Sequence, residues 1–158
     1  MLTAEQFEKA KSFIYRHGDL LTRKRFGYHF EGTGKQSVLN ALAAYQNEDG
    51  GFGNGLELDI MCPESSGICI EVALGYLDEL GVGEGPIFER AVEWILRNRT
   101  DNGDLPHPVD AVKRYPHGEW WEGDANRILS VAGLLGKMGK DHPEITARAS
   151  AFFEASQI

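Results

Sequence analysis

The chain has 158 residues, of which 42% are hydrophobic and 25% charged, so one domain of this size can bury a core. Its formal net charge of −8 repels phosphate backbones and anionic bilayers, which argues against nonspecific nucleic-acid binding. No apolar run approaches the ~20 residues that cross a membrane.

Thr3-Ala4-Glu5-Gln6 has the spacing of a capping box and opens a first helix. Its inward stripe reads Phe7, Ala10, Phe13 and Ile14, and Gly18 reads as a left-handed stop. Residues 19–35 form a connection without a clear period, in which Arg23-Lys24-Arg25 reads as a solvated turn. A second helix covers about 36–45, with Thr33 and Gln36 repeating the capping-box spacing. A long loop, 47–66, follows. The third helix has the clearest period in the chain, Cys69, Val72, Ala73, Tyr76, Leu77 and Leu80. After a tight link at 81–85, Pro86 opens a fourth helix with Ile87, Ala91, Trp94 and Ile95 inward. A second long loop spans 99–123. Asp124 then reads as the cap of a fifth helix, closed by Gly139. Pro143 opens a sixth, with Ile145, Ala149, Phe152 and Phe153 inward. No strand pattern appears, so the expected class is all-α, in a single domain over 1–158.

The helix at 36–45 ends in Gln46-Asn47-Glu48-Asp49-Gly50-Gly51-Phe52-Gly53, and the helix at 86–98 ends in a weaker copy, Arg99-Thr100-Asp101-Asn102-Gly103-Asp104-Leu105. Setting Gly50 on Gly103 aligns Leu42 with Ile95, Asp49 with Asn102 and Phe52 with Leu105. Glycine is expected where a helix must stop in a positive-φ conformation, and the Gln46 amide is placed to bond freed backbone groups. Antiparallel helix hairpins stacked in series explain the pattern.

Gln46-x-x-Asp49-Gly50-Gly51-Phe52-Gly53 resembles the glutamine-to-aromatic repeat motif of squalene and hopene cyclases and protein prenyltransferase β-subunits. Gly53-Asn54-Gly55-Leu56-Glu57-Leu58-Asp59, Cys62-Pro63-Glu64-Ser65-Ser66 and Tyr115-Pro116-His117-Gly118-Glu119-Trp120-Trp121 resemble a bacterial prenyltransferase-like group without settled activity. The resemblance covers about residues 36–155 and implies antiparallel hairpin repeats forming part, about half, of an α/α toroid. The expected six helices are fewer than a closed ring of that kind needs, so the chain is either part of a longer protein or pairs with a second copy, a homodimer completing the ring. The Asp-x-Asp-Asp acid of the cyclases is missing. The prenyltransferase zinc motif is met only by Asp59-Ile60-Met61-Cys62, one residue too long, with His107 or His117 as distant partners. No metal and no cofactor are therefore expected.

Both long loops follow even-numbered helices, so an up-down array places them on one rim, where binding groups of helical scaffolds usually gather. On that rim Glu57, Asp59 and Glu119 are the candidate catalytic acids, and Tyr115, His117, Trp120 and Trp121 the candidate ligand-binding residues. The first reading is binding or conversion of a small apolar, isoprenoid-like ligand against the aromatic faces. The second is a glycan-active enzyme with a carboxylate pair and sugar-stacking aromatics. The third is a non-catalytic protein-interaction module. The cysteine pair, Cys62 and Cys69, is too small for a disulfide framework, and the N-terminus lacks a signal-peptide pattern; both lead to the expectation of a cytoplasmic protein.

Overall fold

A computed structural model describes residues 2–156 of the chain. The regular structure of these residues is helical, and β pairing is confined to two isolated antiparallel bridges, Gln46 with Phe52 and Ile60 with His117. The all-α class expected from the sequence is the one observed. The chain forms two compact units, Met1–Ala44 and Tyr45–Ile158.

The first unit contains α1 (Ala4–His17), α2 (Leu20–Phe30) and α3 (Gln36–Ala43). Thr3 caps α1 in a full capping box: its Oγ1 accepts from Gln6 N at 3.2 Å, and Gln6 Oε1 accepts from Thr3 N at 2.9 Å. Four details differ from the sequence reading. Gly18 ends α1 with φ −69°, an ordinary extended conformation rather than a left-handed one. Phe13 is 64% exposed, while Phe7 and Ile14 are half-buried. The Arg23-Lys24-Arg25 cluster lies inside a helix, α2, which Asp19 caps by accepting from Thr22 N at 2.6 Å. That helix is hard to read because it is short and weakly amphipathic, with three consecutive cations at its centre. It buries Leu21 and Phe26, and Phe26 stacks on Phe7 at 5.9 Å. Thr33 does not cap α3; the N-cap position is Lys35, which makes no side-chain cap bond, and Gln36 bonds Asn40 instead.

The second unit contains α4 (Gly67–Glu79), α5 (Pro86–Arg97), a single-turn α6 (Val109–Val112), a 3₁₀ turn (Glu119–Glu122), α7 (Ile128–Lys137) and α8 (Pro143–Ser156). Helix α4 packs against α5 and α7, and α8 against α7 and α5. Ser66 caps α4 through Cys69 N. The helix buries Ile68, Cys69, Ile70, Ala73, Leu74 and Leu77, which face several directions, so α4 is the central helix of the unit. On α8, Ile145, Ala149 and Phe152 are buried as expected, whereas Phe153 is 52% exposed. Arg148 takes an inward place that the sequence reading did not give it.

The two glycine turns share their backbone bonding. Asn47 N donates to Gly51 O (2.8 Å) and Gly50 N to Asn47 O (3.0 Å); fifty-three positions on, Thr100 N donates to Asp104 O (3.0 Å) and Gly103 N to Thr100 O (2.9 Å). Gly51 N reaches Asp49 Oδ1, as Asp104 N reaches Asn102 Oδ1. Both glycines have positive φ, 91° at Gly50 and 87° at Gly103, and Phe52 and Leu105 are both buried. The Gln46 amide donates to Gly50 O and to Ile87 O, each at 3.0 Å, so it ties the turn to the start of α5.

Candidate functional site

The long loops meet. Ile60 and His117 form the isolated bridge, flanked by Met61 N to Pro116 O (2.9 Å) and Gly118 N to Asp59 O (2.9 Å). An ion pair between Arg114 and Glu64 at 3.1 Å adds to the seam. Beneath it Ile60, Cys62, Ile68, Ala111, Val112 and Ala125 form an apolar cluster with Trp121 packed against it. The sequence can form this join because prolines and glycines shape both loops while the few apolar residues, Ile60 and Val112 among them, point inward.

The candidate ligand-binding residues have different settings. Trp121 belongs to the cluster under the loops; its carbonyl accepts from His107 Nε2 at 2.7 Å, and the Arg127 guanidinium lies 5.6 Å from its ring. Its indole N–H is buried without a partner, as is His107 Nδ1. Trp120, in contrast, is 67% exposed. Its indole lies against the backbone of Gly118, where a Cβ would come within 2.4 Å of the ring. Tyr115 is also exposed, and its carbonyl accepts from His117 Nδ1 at 2.6 Å.

His117 is held from both sides. Its other nitrogen, Nε2, meets Glu122 Oε1 at 3.1 Å, and Glu122 also lies 3.5 Å from Lys113 Nζ. Both ring nitrogens face acceptors, which favours the doubly protonated imidazolium. The Tyr115 carbonyl and the Glu122 carboxylate accordingly hold the His117 pKa above its ordinary value. The His117 contact, with help from Lys113, holds Glu122 below the usual carboxylate range.

Of the candidate acids, Glu57 is half-buried and Asp59 and Glu119 are exposed. The loop bridge brings the backbones of Asp59 and Gly118 together and so puts Asp59 close in the fold to Glu119. Four depressions of the surface are lined by other residues. Those of about 520 and 500 Å³ lie at Gly81–Glu84 with Lys137 and Lys140, and beside Asp49, Ser65 and Trp94; those of about 110 and 300 Å³ lie on either side of the second glycine turn.

Burial pushes the thiols of Cys62 and Cys69 up, so neither is poised as a thiolate ligand. Among the described residues no three His, Cys, Asp or Glu side chains converge as a metal site would require. Nor, among those residues, is any helix long and apolar enough to cross a membrane.

Two residues outside the sequence reading organise this end of the molecule. Asp104, 4% exposed, accepts from Arg127 N at 2.9 Å and Ile128 N at 2.8 Å; it is therefore the cap of α7, the role expected of Asp124. Arg148 donates to four carbonyls around the second turn. The sequence signal for Asp104 is an acid following the glycine stop where the first turn has Gly51. Arg148 carries no such signal, because an arginine between alanines on an amphipathic helix reads as solvent-facing.

No protein-family model, curated protein or solved structure matches the chain.

Proposed function

We propose that this chain is a non-catalytic interaction module, built of α/α hairpin repeats of the prenyltransferase and squalene-cyclase kind and forming a segment of an α/α toroid. The rim of paired loops grips a segment of a protein partner. The carrying observation is Trp120, which is widely exposed yet seated against Gly118. Small-molecule sites are concave and enclose most of their ligand, whereas an outward tryptophan among polar groups has the form of an interface anchor. Glu119 shares the 3₁₀ turn of Trp120 and Asp59 lies across the loop bridge from Gly118, so the preferred partner segment is basic, with an arginine or lysine stacking on the ring. The hairpin-repeat reading draws on the shared bonding of the two glycine turns and on the Gln46 amide that bridges Gly50 and Ile87.

Conversion of an isoprenoid-like ligand is the second reading, favoured by the same glutamine-to-aromatic turn. It requires Glu57, Asp59 or Glu119 to line an apolar pocket, and the depressions described above are lined by other residues.

Fluorescence titration separates the two, using an arginine-rich peptide, a polyprenyl alcohol and an oligosaccharide as probes. The interaction reading expects saturable quenching by the peptide that Trp120→Ala abolishes while changing stability by less than about 0.5 kcal/mol. Loss of folding in Trp120→Ala, or saturable binding of the alcohol or the sugar alone, overturns it.

A further inference from the structure

We propose that the depression beside the second glycine turn is an oxyanion site in which Arg99 and Arg148 bind a phosphate or carboxylate group of a ligand. Its lining shares no residue with the candidate site on the loop rim, and it does not depend on the reading given for that site.

The depression, about 300 Å³, is lined by Arg99, Thr100, Asp101, Gly103 and Arg148. Arg148 is 8% exposed. Its Nε donates to Gly103 O at 3.1 Å and Nη1 to Ile95 O at 2.8 Å, while Nη2 donates to Asn98 O and Asp104 O, both at 3.3 Å. A guanidinium has five N–H groups, so four go to carbonyls and one on Nη1 is left over. Carbonyls satisfy directions but carry no net charge. Among the described residues no carboxylate comes within 4.0 Å of this buried cation. The nearest acid in the turn, Asp104, has its carboxylate committed to the N–H groups of Arg127 and Ile128.

Arg99 brings a second positive charge to the hollow. Burial pushes the Arg148 pKa down; the charge of Glu144 opposes this more than the neighbouring Arg99 adds to it, and Asp104 opposes it as well. Arg99 itself is exposed and makes no hydrogen bond or ion pair with the described residues. Asp101 is exposed as well and pairs with neither arginine. Two arginines thus share one hollow with no acid bonded to either, in a chain whose formal charge is −8. An anion bridging them would meet both guanidinium groups through charge-assisted bonds.

The first turn shows what the same position does without this role. Gln46 turns inward and bonds Gly50 O. At the equivalent position, Arg99, the corresponding carbonyl of Gly103 is already taken by Arg148, so the side chain is released toward the hollow. The volume is at the low end of small-molecule sites, enough for one anionic group and part of its carrier.

The test is ¹H–¹⁵N NMR of the arginine Nε–H groups and the Gly103 amide during titration with inorganic phosphate or acetate, with sodium chloride at matched ionic strength as the reference. Saturable shifts of the Arg148 and Gly103 signals that weaken about tenfold in Arg99→Gln are expected. A response to phosphate alone assigns a phosphate-bearing ligand; a response to acetate as well extends the site to carboxylates. Arg99→Gln leaves the turn bonds untouched, and its unchanged amide spectrum serves as the folding control. Shifts no larger than those in chloride, or equal binding by Arg99→Gln, overturn the proposal.

Discussion

At 46–52 a neutral amide holds the glycine turn: Gln46 bonds Gly50 O, while the exposed Arg90 and Arg97 donate to Asn47 O, Glu48 O and Asp49 O from α5. At 99–105 the same backbone bonds are held by ionised groups taken out of water, the Arg148 guanidinium from α8 and the Asp104 carboxylate. In the first turn the Asp49 carboxylate is spread over Gly51 N, Ser65 Oγ and Trp94 Nε1. In the second, Asp104 is concentrated on the start of another helix. One backbone solution thus accepts two different fastenings. An amide helped by exposed arginines costs little desolvation; a buried guanidinium costs more and depends on every one of its bonds being made.

Removing the ionic fastening should have the largest effect. Arg148→Met strips the side-chain donors from the carbonyls of Ile95, Asn98, Gly103 and Asp104, and urea denaturation should register a loss of about 3–5 kcal/mol. If the loss is no greater than for Gln46→Ala, the contrast between the turns is wrong.

The glycines themselves sharpen the comparison. Both have positive φ, but a Cβ at Gly50 would stand 2.6 Å from Arg90 O, while one at Gly103 meets nothing within 4 Å. Gly103→Ala should therefore cost only the backbone strain, about 1–2 kcal/mol. Gly50→Ala should cost about 1–3 kcal/mol more from the clash. Equal losses in thermal melts would mean that α5 does not press on the first turn.

Asp104→Ala removes the remote cap of α7 and should cost about 1–2 kcal/mol. Hydrogen exchange should locate the loss at the amides of Arg127 and Ile128. Asp124→Ala should leave those amides unchanged.

The smallest effect concerns pH and the loop seam. The His117 pKa is raised above its ordinary 6.5, so the stability it contributes is complete below that value and fades as pH rises through the folded pKa. Glu122 is lowered from 4.5, so its contribution is present above that value and is lost as pH falls through the depressed one. Together they favour the interval between about pH 4.5 and 6.5. Melting temperature followed through neutral pH should decline less steeply in His117→Gln than in the parent chain. An identical slope would remove His117 from the seam.

Much of this could be read in the chain. The capping box at Thr3, Pro86 at the start of α5 and the stop at Gly50 are local devices, set by residues a turn apart, and they formed where expected. Residues 19–35 were illegible because α2 has little amphipathic period to betray it, and its cap Asp19 follows directly on Gly18. At the candidate site the exposed aromatics and the acids could be named, but not that Trp121 would turn under the loops while the adjacent Trp120 stayed out. A pair of identical neighbours carries no signal of which one the core will take.

The sequence by itself determined the helical class, most helix boundaries and the common form of the two glycine turns, because periodicity, capping and positive φ act over a few residues. Tertiary structure alone decided that Asp104 caps a helix more than twenty residues away, that Arg148 turns inward, and that residues 59–61 pair with 116–118. Those outcomes depend on which distant carbonyls and amides arrive unpaired in the same place, and a one-dimensional pattern does not record that.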